Sequence, residues 1–236
     1  MSRLAALRTE VLRANLELVH KGLAPFAFGN ASGLSREDGL VVIKPSGVPY
    51  DRLTAASMVV TDLDGRPVDS DLRPSTDLPT HLALYAAFPD IRGVVHTHSR
   101  FATVWAQARR EILCFGTTHA DYFHGSIPVT DAMSAGEIGS AYETHTGQVI
   151  VRRMKHLNPR EVPAVLVACH GPFCWGASPG EAALIAAVLE EVARMAYYTT
   201  TLNPGIGPID DALLEKHFFR KHGPDAYYGQ KPPDGH

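Results

Sequence analysis

His96-Thr97-His98 ends an apolar run containing Val94 and Val95, and His170 stands between the run Ala164 to Cys169 and Gly171-Pro172. In an extended chain, residues two apart point to the same side, so the imidazoles of His96 and His98 can face one point. A bare H-x-H reads equally well as two ordinary histidines. His170 adds context, because it too falls where a strand gives way to a loop, the position from which functional side chains are commonly presented. Three neutral imidazoles, with a fourth position for an acid, a water or a substrate, form the open site expected of catalytic zinc. Asp77, in Pro74-Ser75-Thr76-Asp77, is the acid expected at that position. Alone it serves equally well as the N-terminal acid of a helix over Leu78 to Phe88, where an anion is favoured.

A second set of residues suits an anion. Lys44-Pro45-Ser46-Gly47 closes a predicted strand in a tight turn and offers an ammonium, a hydroxyl and backbone N–H groups at one place. Gly29-Asn30-Ala31-Ser32 and Ser75-Thr76 add amide and hydroxyl donors, the latter near a helix start whose unsatisfied N–H groups favour anions. Each also reads as an ordinary turn or cap. No P-loop is present, so a sugar phosphate is expected rather than a nucleotide.

The elements that must carry these residues can be read from apolar spacing. Leu4, Leu7, Val11, Ala14 and Leu18 define one face of a helix ending before Gly22. Leu40 to Lys44, Met58 to Thr61, Ile91 to Thr97 and Ala164 to Ala168 are rich in β-branched residues and bounded by Gly, Pro or Asp, which predicts strands. Ser178-Pro179-Gly180-Glu181 supplies a capping box with proline at the first helical position, ahead of a helix over Ala182 to Tyr198. Ile209, Leu213, Leu214, His217 and Phe218 predict a last helix from about Asp210 to Lys221. Strands and helices alternate too irregularly for a doubly wound sheet, and no G-x-G-x-x-G follows a strand. The expected fold is α/β, with a central mixed, mainly antiparallel sheet flanked by helices in one domain over residues 1–230 and a frayed tail over 231–236.

Bulk properties narrow the partners. The formal charge of −3 over 236 residues lacks the basic surplus of a nucleic-acid binder. The opening residues have no apolar signal-peptide core and no apolar stretch approaches the ~20 residues of a membrane span, so the cytoplasm is the expected compartment. Cys114, Cys169 and Cys174 form no C-x-x-C and are expected to be buried free thiols.

Read together, several segments closely resemble the L-ribulose-5-phosphate 4-epimerases of the class II aldolase and adducin superfamily. The likeness runs through Gly29-Asn30-x-Ser32, Ile43 to Gly47, Pro74 to Asp77 with Pro79-Thr80-His81, and Val95 to Ser99. It continues through Gly116 to Phe123, His170 to Phe173, Lys216-His217, Arg220 to Gly223 and Tyr227 to Gln230. By that resemblance Asp77, His96, His98 and His170 match the residues that hold one Zn2+ per subunit. Asn30, Lys44, Ser46, Gly47, Ser75 and Thr76 match the phosphate pocket, and Asp121 and Tyr228 the acid–base pair. The family's active sites lie between subunits of a cyclic homotetramer, which implies that Thr117, Asp121, Glu143, His217, Arg220 and Tyr228 reach in from a neighbour. Thr76 stands where the family commonly has serine, which bears on the phosphate fit, and Phe28 where tryptophan is expected, which bears on local packing.

The resemblance implies interconversion of L-ribulose 5-phosphate and D-xylulose 5-phosphate. In such a ketose the C4 hydrogen is not adjacent to the C2 carbonyl, so direct deprotonation is excluded, and transient oxidation would call for a nicotinamide fingerprint that is absent. Cleavage and re-formation of the C3–C4 bond remain. Asp77 favours this epimerisation over the related aldolases, which resemble one another in carrying glutamate there. An L-fuculose-phosphate-type aldolase is the nearest alternative, and a non-catalytic adducin-like interaction domain a more distant one.

Overall fold

The computed structural model describes residues 3–26, 28–223 and 226–229. The three- and four-residue apolar steps of the N-terminal segment become one face of α1 (Arg3–His20), with Val11 and Leu18 fully buried. Then come β1 (Gly29–Ser35), β2 (Leu40–Ile43), β3 (Val59–Asp62), α2 (Leu78–Ala87), β4 (Gly93–Thr97) and α3 (Arg100–Ala108). The short helices α4 (Thr117–Ala120) and α5 (Ala135–Ile138) precede α6 (Tyr142–Met154), β5 (Ala164–Leu166), β6 (Pro172–Gly176), α7 (Pro179–Leu202) and α8 (Asp211–Phe219).

The strands form one sheet in the order β3-β2-β1-β4-β6-β5, and all five neighbouring pairs are antiparallel. The links 36–39 and 167–171 are too short for a crossover, which obliges β1–β2 and β5–β6 to run antiparallel. One isolated parallel bridge, Val129 to Leu166, is the mixed element. Both faces are covered. Ala31, Val42, Val60, Val95 and Cys174 pack with α1, α3 and α7, whereas Leu34, Val41, Ile43, Val94, Phe173 and Trp175 pack with α2 and α6. Double coverage explains why the strands read as continuous apolar runs instead of alternating ones.

Two central strands depart from the sequence reading. β1, Gly-Asn-Ala-Ser-Gly-Leu-Ser, is poor in β-formers, and its sequence suggests only a source of donors. It is a strand because α1 and α7 press directly on it: a Cβ at Gly33 would lie 2.7 Å from Leu7 and 2.8 Å from Pro179. β6 begins at Pro172, and a leading proline gives no local strand signal. The box at Ser178 forms by half. Ser178 Oγ accepts from Glu181 N at 3.1 Å, but Glu181 Oε2 reaches Ala177 N, one residue before the cap, at 2.7 Å. Of the cysteines, Cys114 and Cys174 are buried free thiols, whereas Cys169 is exposed. The tail 231–236 and Gln230 lie outside the described residues. Among the described residues, no helix is long and apolar enough to cross a membrane.

Candidate functional site

Register assembles the site. β1 sets Asn30 opposite His96 on β4, and β4 sets His96 opposite Phe173 on β6, so three adjacent strands contribute one row. His98 stands one residue beyond the strand end. His170 comes from the turn between β5 and β6, held by bonds from His170 N to Val167 O at 3.0 Å and from Val167 N to Gly171 O at 2.9 Å. The preceding residue, Cys169, adopts φ +63°, a left-handed conformation that costs roughly 1–2 kcal/mol for a residue with a Cβ.

The three imidazoles form a nearly equilateral triangle. Ring centroids are 4.9 Å apart for His96 and His98, 4.7 Å for His96 and His170, and 5.0 Å for His98 and His170. One ligand atom from each lies within 4.8 Å of the others. His96 Nδ1 donates to Pro172 O at 3.0 Å, which leaves Nε2 with its lone pair, 3.1 Å from Nε2 of His98. Zinc–nitrogen bonds of about 2.0–2.1 Å at the tetrahedral angle separate two ligand nitrogens by about 3.3 Å, so this pair already has the required spacing. Burial drives His96 and His170 down to about 3, with the neighbouring imidazoles adding to the shift. Burial also lowers His98, against an opposing pull from Asp77. All three are therefore held neutral, the form that binds a cation. Donor type, spacing and protonation all fit a divalent metal.

Asp77 opens into the same cavity of about 250 Å3. It occupies the N-cap position of α2, yet its carboxylate makes no capping bond; instead Oδ2 accepts from Asn30 Nδ2 at 2.6 Å. The set of ligand atoms within 4.8 Å comprises the three histidines without Asp77.

The anion cradle lines the rest of the cavity with Asn30, Lys44, Ser46, Gly47, Ser75 and Thr76. Backbone bonds from Ser46 N to Arg73 O and from Ser75 N to Lys44 O, both 2.9 Å, join the loop after β2 to the loop before α2. Gly47 sits at φ +69°, open to glycine without strain, and its N–H and that of Thr76 have no acceptor among the described residues. Lys44 is almost fully buried, burial lowers its pKa, and Nζ lies 4.9 Å from the Tyr50 ring centroid. Among the described residues its one hydrogen bond, to Pro45 O at 3.2 Å, leaves two ammonium protons for a ligand.

Of the remaining predicted residues, all but Glu143 gather in a second cluster. Asp121, at the end of α4, accepts from Arg220 Nη2 at 2.8 Å and pairs with His217 Nδ1 at 3.0 Å and Lys221 Nζ at 3.2 Å. Tyr228 joins through its ring, 5.0 Å from the Arg220 guanidinium. Burial raises the Asp121 carboxyl, but these partners outweigh it and hold it below the usual carboxylate range. Thr117 touches the cluster through its backbone, accepting from Asp121 N at 2.9 Å, and Glu143 joins neither cluster, its carbonyl accepting from Thr80 Oγ1. None of these residues lines the histidine cavity within the one chain. Tyr142, whose hydroxyl lies 3.4 Å from His170 Nδ1, and Phe173, stacked at 4.2 Å on His96, were not singled out as site residues. Adjacency of Tyr142 to Glu143 was the available signal.

A 4-epimerase, "L-ribulose-5-phosphate 4-epimerase UlaF" of Salmonella paratyphi A, is 52% identical over 225 residues, covering 95% of this chain and 99% of the relative. Its counterpart in Salmonella typhi gives the same identity and coverage. Among solved structures, an L-fuculose 1-phosphate aldolase superposes with a TM-score of 0.75 at 24% identity, covering 91% of this chain and 95% of its own. An aldolase II superfamily protein from Pseudomonas syringae gives 0.76 at 17% identity, covering 96% and 89%. At these identities the two structures establish the fold. A family model, Class II Aldolase and Adducin N-terminal domain, matches residues 9–197, and with that match and the 52% relative the chain belongs to the class II aldolase and adducin family.

Proposed function

We propose that this protein is a metal-dependent epimerase that interconverts L-ribulose 5-phosphate and D-xylulose 5-phosphate by breaking and re-forming the C3–C4 bond. The observation that carries the reading is one cavity in which three neutral imidazoles face a lysine, two hydroxyl-bearing turns and unpaired N–H groups. A cation and a phosphate held in that one cavity suit a small ketose phosphate. The 4-epimerase relative at 52% identity over nearly the whole chain supports this choice of substrate.

His96, His98 and His170, with Asp77 as fourth group, would hold one Zn2+ per subunit. A divalent cation there supplies Lewis-acid stabilisation of negative charge on the ketose oxygens. A base removes the C4 hydroxyl proton, the C3–C4 electron pair passes to the dihydroxyacetone fragment, and the C4 carbon becomes the aldehyde of glycolaldehyde phosphate. Lys44, Ser46, Gly47, Asn30, Ser75 and Thr76 retain that fragment by its phosphate while the aldehyde turns over. Re-addition to its other face, with a proton returned to the new C4 hydroxyl, gives the epimer. Tyr228 and Asp121 serve as the proton-transfer groups for the two faces, with Thr117, Glu143, His217 and Arg220 beside them. In this reading they come from a neighbouring subunit of a homotetramer, consistent with their absence from the histidine cavity of one chain. Exposed Met195, Tyr197, Tyr198 and Leu202 toward the end of α7 offer apolar surface for assembly. Residues 1–230 act as one domain.

NMR of the purified protein with L-ribulose 5-phosphate, before and after chelation, tests the reading. The expected result is chelator-sensitive formation of D-xylulose 5-phosphate without accumulated glycolaldehyde phosphate. Net release of an aldehyde would assign an aldolase instead, and carefully purified protein with neither metal nor turnover would leave an adducin-like interaction domain.

A further inference from the structure

His81 belongs to the Pro79-Thr80-His81 segment, yet it lines no part of the histidine cavity. It is fully buried, and its Nδ1 lies 2.7 Å from Ser32 Oγ, which in turn lies 2.8 Å from the Tyr85 hydroxyl. Asp77, His81 and Tyr85 follow at four-residue steps along one side of α2 and its cap, while Asn30 and Ser32 stand two apart on one side of β1. The two rows meet as a ladder: Asn30 with Asp77, Ser32 with His81 and Tyr85.

Such a ladder is unusual between a helix and a sheet that otherwise meet through Leu78, Leu84, Leu34 and Ile43. Apolar residues of similar shape could replace a buried polar chain with little loss of stability, whereas a partly satisfied chain leaves each orphaned group stripped of water without a partner. His81 Nε2 is such an orphan: it is buried and has no hydrogen-bond partner among the described residues. What the chain provides is fixed geometry, since directional bonds set where along β1 the helix must sit. Two routes lead from His81 to the cavity. One runs a single helical turn back to Asp77. The other runs through Phe173, whose ring meets His81 edge-on at 6.2 Å and stacks on His96 at 4.2 Å with 16° between planes.

We propose that His81 is a positioning residue: the Tyr85–Ser32–His81 chain locks α2 onto β1 and so fixes the Asp77 carboxylate and the His96 ring around the cation. This rests on the metal-dependent reading above. The neutral imidazole touches no reacting atom in this account.

The test compares the parent with His81→Phe, which keeps a flat buried ring without the hydrogen bond, and with Ser32→Ala, which keeps the imidazole but cuts the chain. Zinc affinity is read by competition with a chromogenic chelator, alongside kcat and KM for L-ribulose 5-phosphate and the thermal midpoint. Both variants should bind zinc roughly 10–100-fold more weakly, as expected when a group supporting a ligand is lost. At saturating zinc, kcat should fall while KM stays within about twofold, because the phosphate cradle is untouched. A pure packing role lowers the thermal midpoint and leaves zinc affinity and kcat unchanged, and that result in either variant overturns the proposal. Should His81→Phe fail to fold, Ser32→Ala decides alone. A parent that itself neither binds zinc nor turns over overturns the functional reading as well, whereas an active parent with unaltered variants sinks only the role of His81.

Discussion

Asn30 on β1 grips Asp77 at the start of α2, its amide nitrogen 2.6 Å from one carboxylate oxygen. The contact diverts Asp77 from the ordinary work of an acid at a helix N-terminus, since no capping bond is made, and turns it toward three imidazoles. Asp77→Asn keeps the shape and removes the charge. It should weaken zinc binding about 10–100-fold, in line with charge-assisted interactions of about 1.5–3 kcal/mol. Chelator competition checks this, and parent-like affinity would remove Asp77 from the metal's ligands.

Lys44 brings a nearly buried ammonium to the cradle, with one backbone acceptor and the Tyr50 face as its surroundings. Replacement by methionine keeps the stem and removes the charge. KM for the phosphorylated ketose should rise roughly 10–100-fold, and competitive inhibition by inorganic phosphate should be lost. A KM near that of the parent would place the phosphate elsewhere.

Tyr228→Phe removes one hydroxyl from an exposed ring beside Arg220 and Lys221. Turnover should fall by about 10²–10⁴, the usual worth of a general acid–base group, with zinc retained. Because the reading assigns Tyr228 and the histidines of one site to different subunits, refolding a mixture of Tyr228→Phe and His98→Asn chains should restore activity that neither has alone. Mixtures as inactive as their components would put both residues in one subunit's site.

His119 gives a pH prediction independent of the metal. Burial lowers it from 6.5 to about 4, partly offset by its bond from Nε2 to Gly125 O at 2.8 Å. The folded pKa lies below the unfolded one, so the unfolded chain takes up the proton first as pH falls. This stability is complete above pH 6.5 and is lost down to about 4, amounting to on the order of 3 kcal/mol. Denaturant unfolding from pH 7 to 4 should show a shallower acid slope in His119→Phe than in the parent. Parallel slopes would show that other groups carry the acid sensitivity.

The ease of reading differed between elements for physical reasons. Val94-Val95 announces a strand, and a strand end makes H-x-H converge, so His96 and His98 were legible with little tertiary information. α7 was legible through Ser178, Pro179 and Glu181, although Glu181 reaches Ala177 instead of completing the box. β1 was not, because its place in the sheet centre comes from helix packing that demands glycine, against local propensity. The partners of Asn30 and His81 stand 47 and 49 residues away, beyond any local pattern.

Asp121 is also a mooring. His217, Arg220 and Lys221 hold its carboxylate and His222 its carbonyl, so the last described stretch of chain is tethered to the body at one anionic residue. Neutralising that carboxylate would leave the Arg220 and Lys221 cations facing one another without their shared anion, while the His222 bond to the backbone carbonyl would remain. Arg220 thus bonds the Asp121 carboxylate with its guanidinium, packs that group 5.0 Å from the Tyr228 ring and accepts Tyr228 N at its carbonyl, so the position of Tyr228 is referred back to one acid.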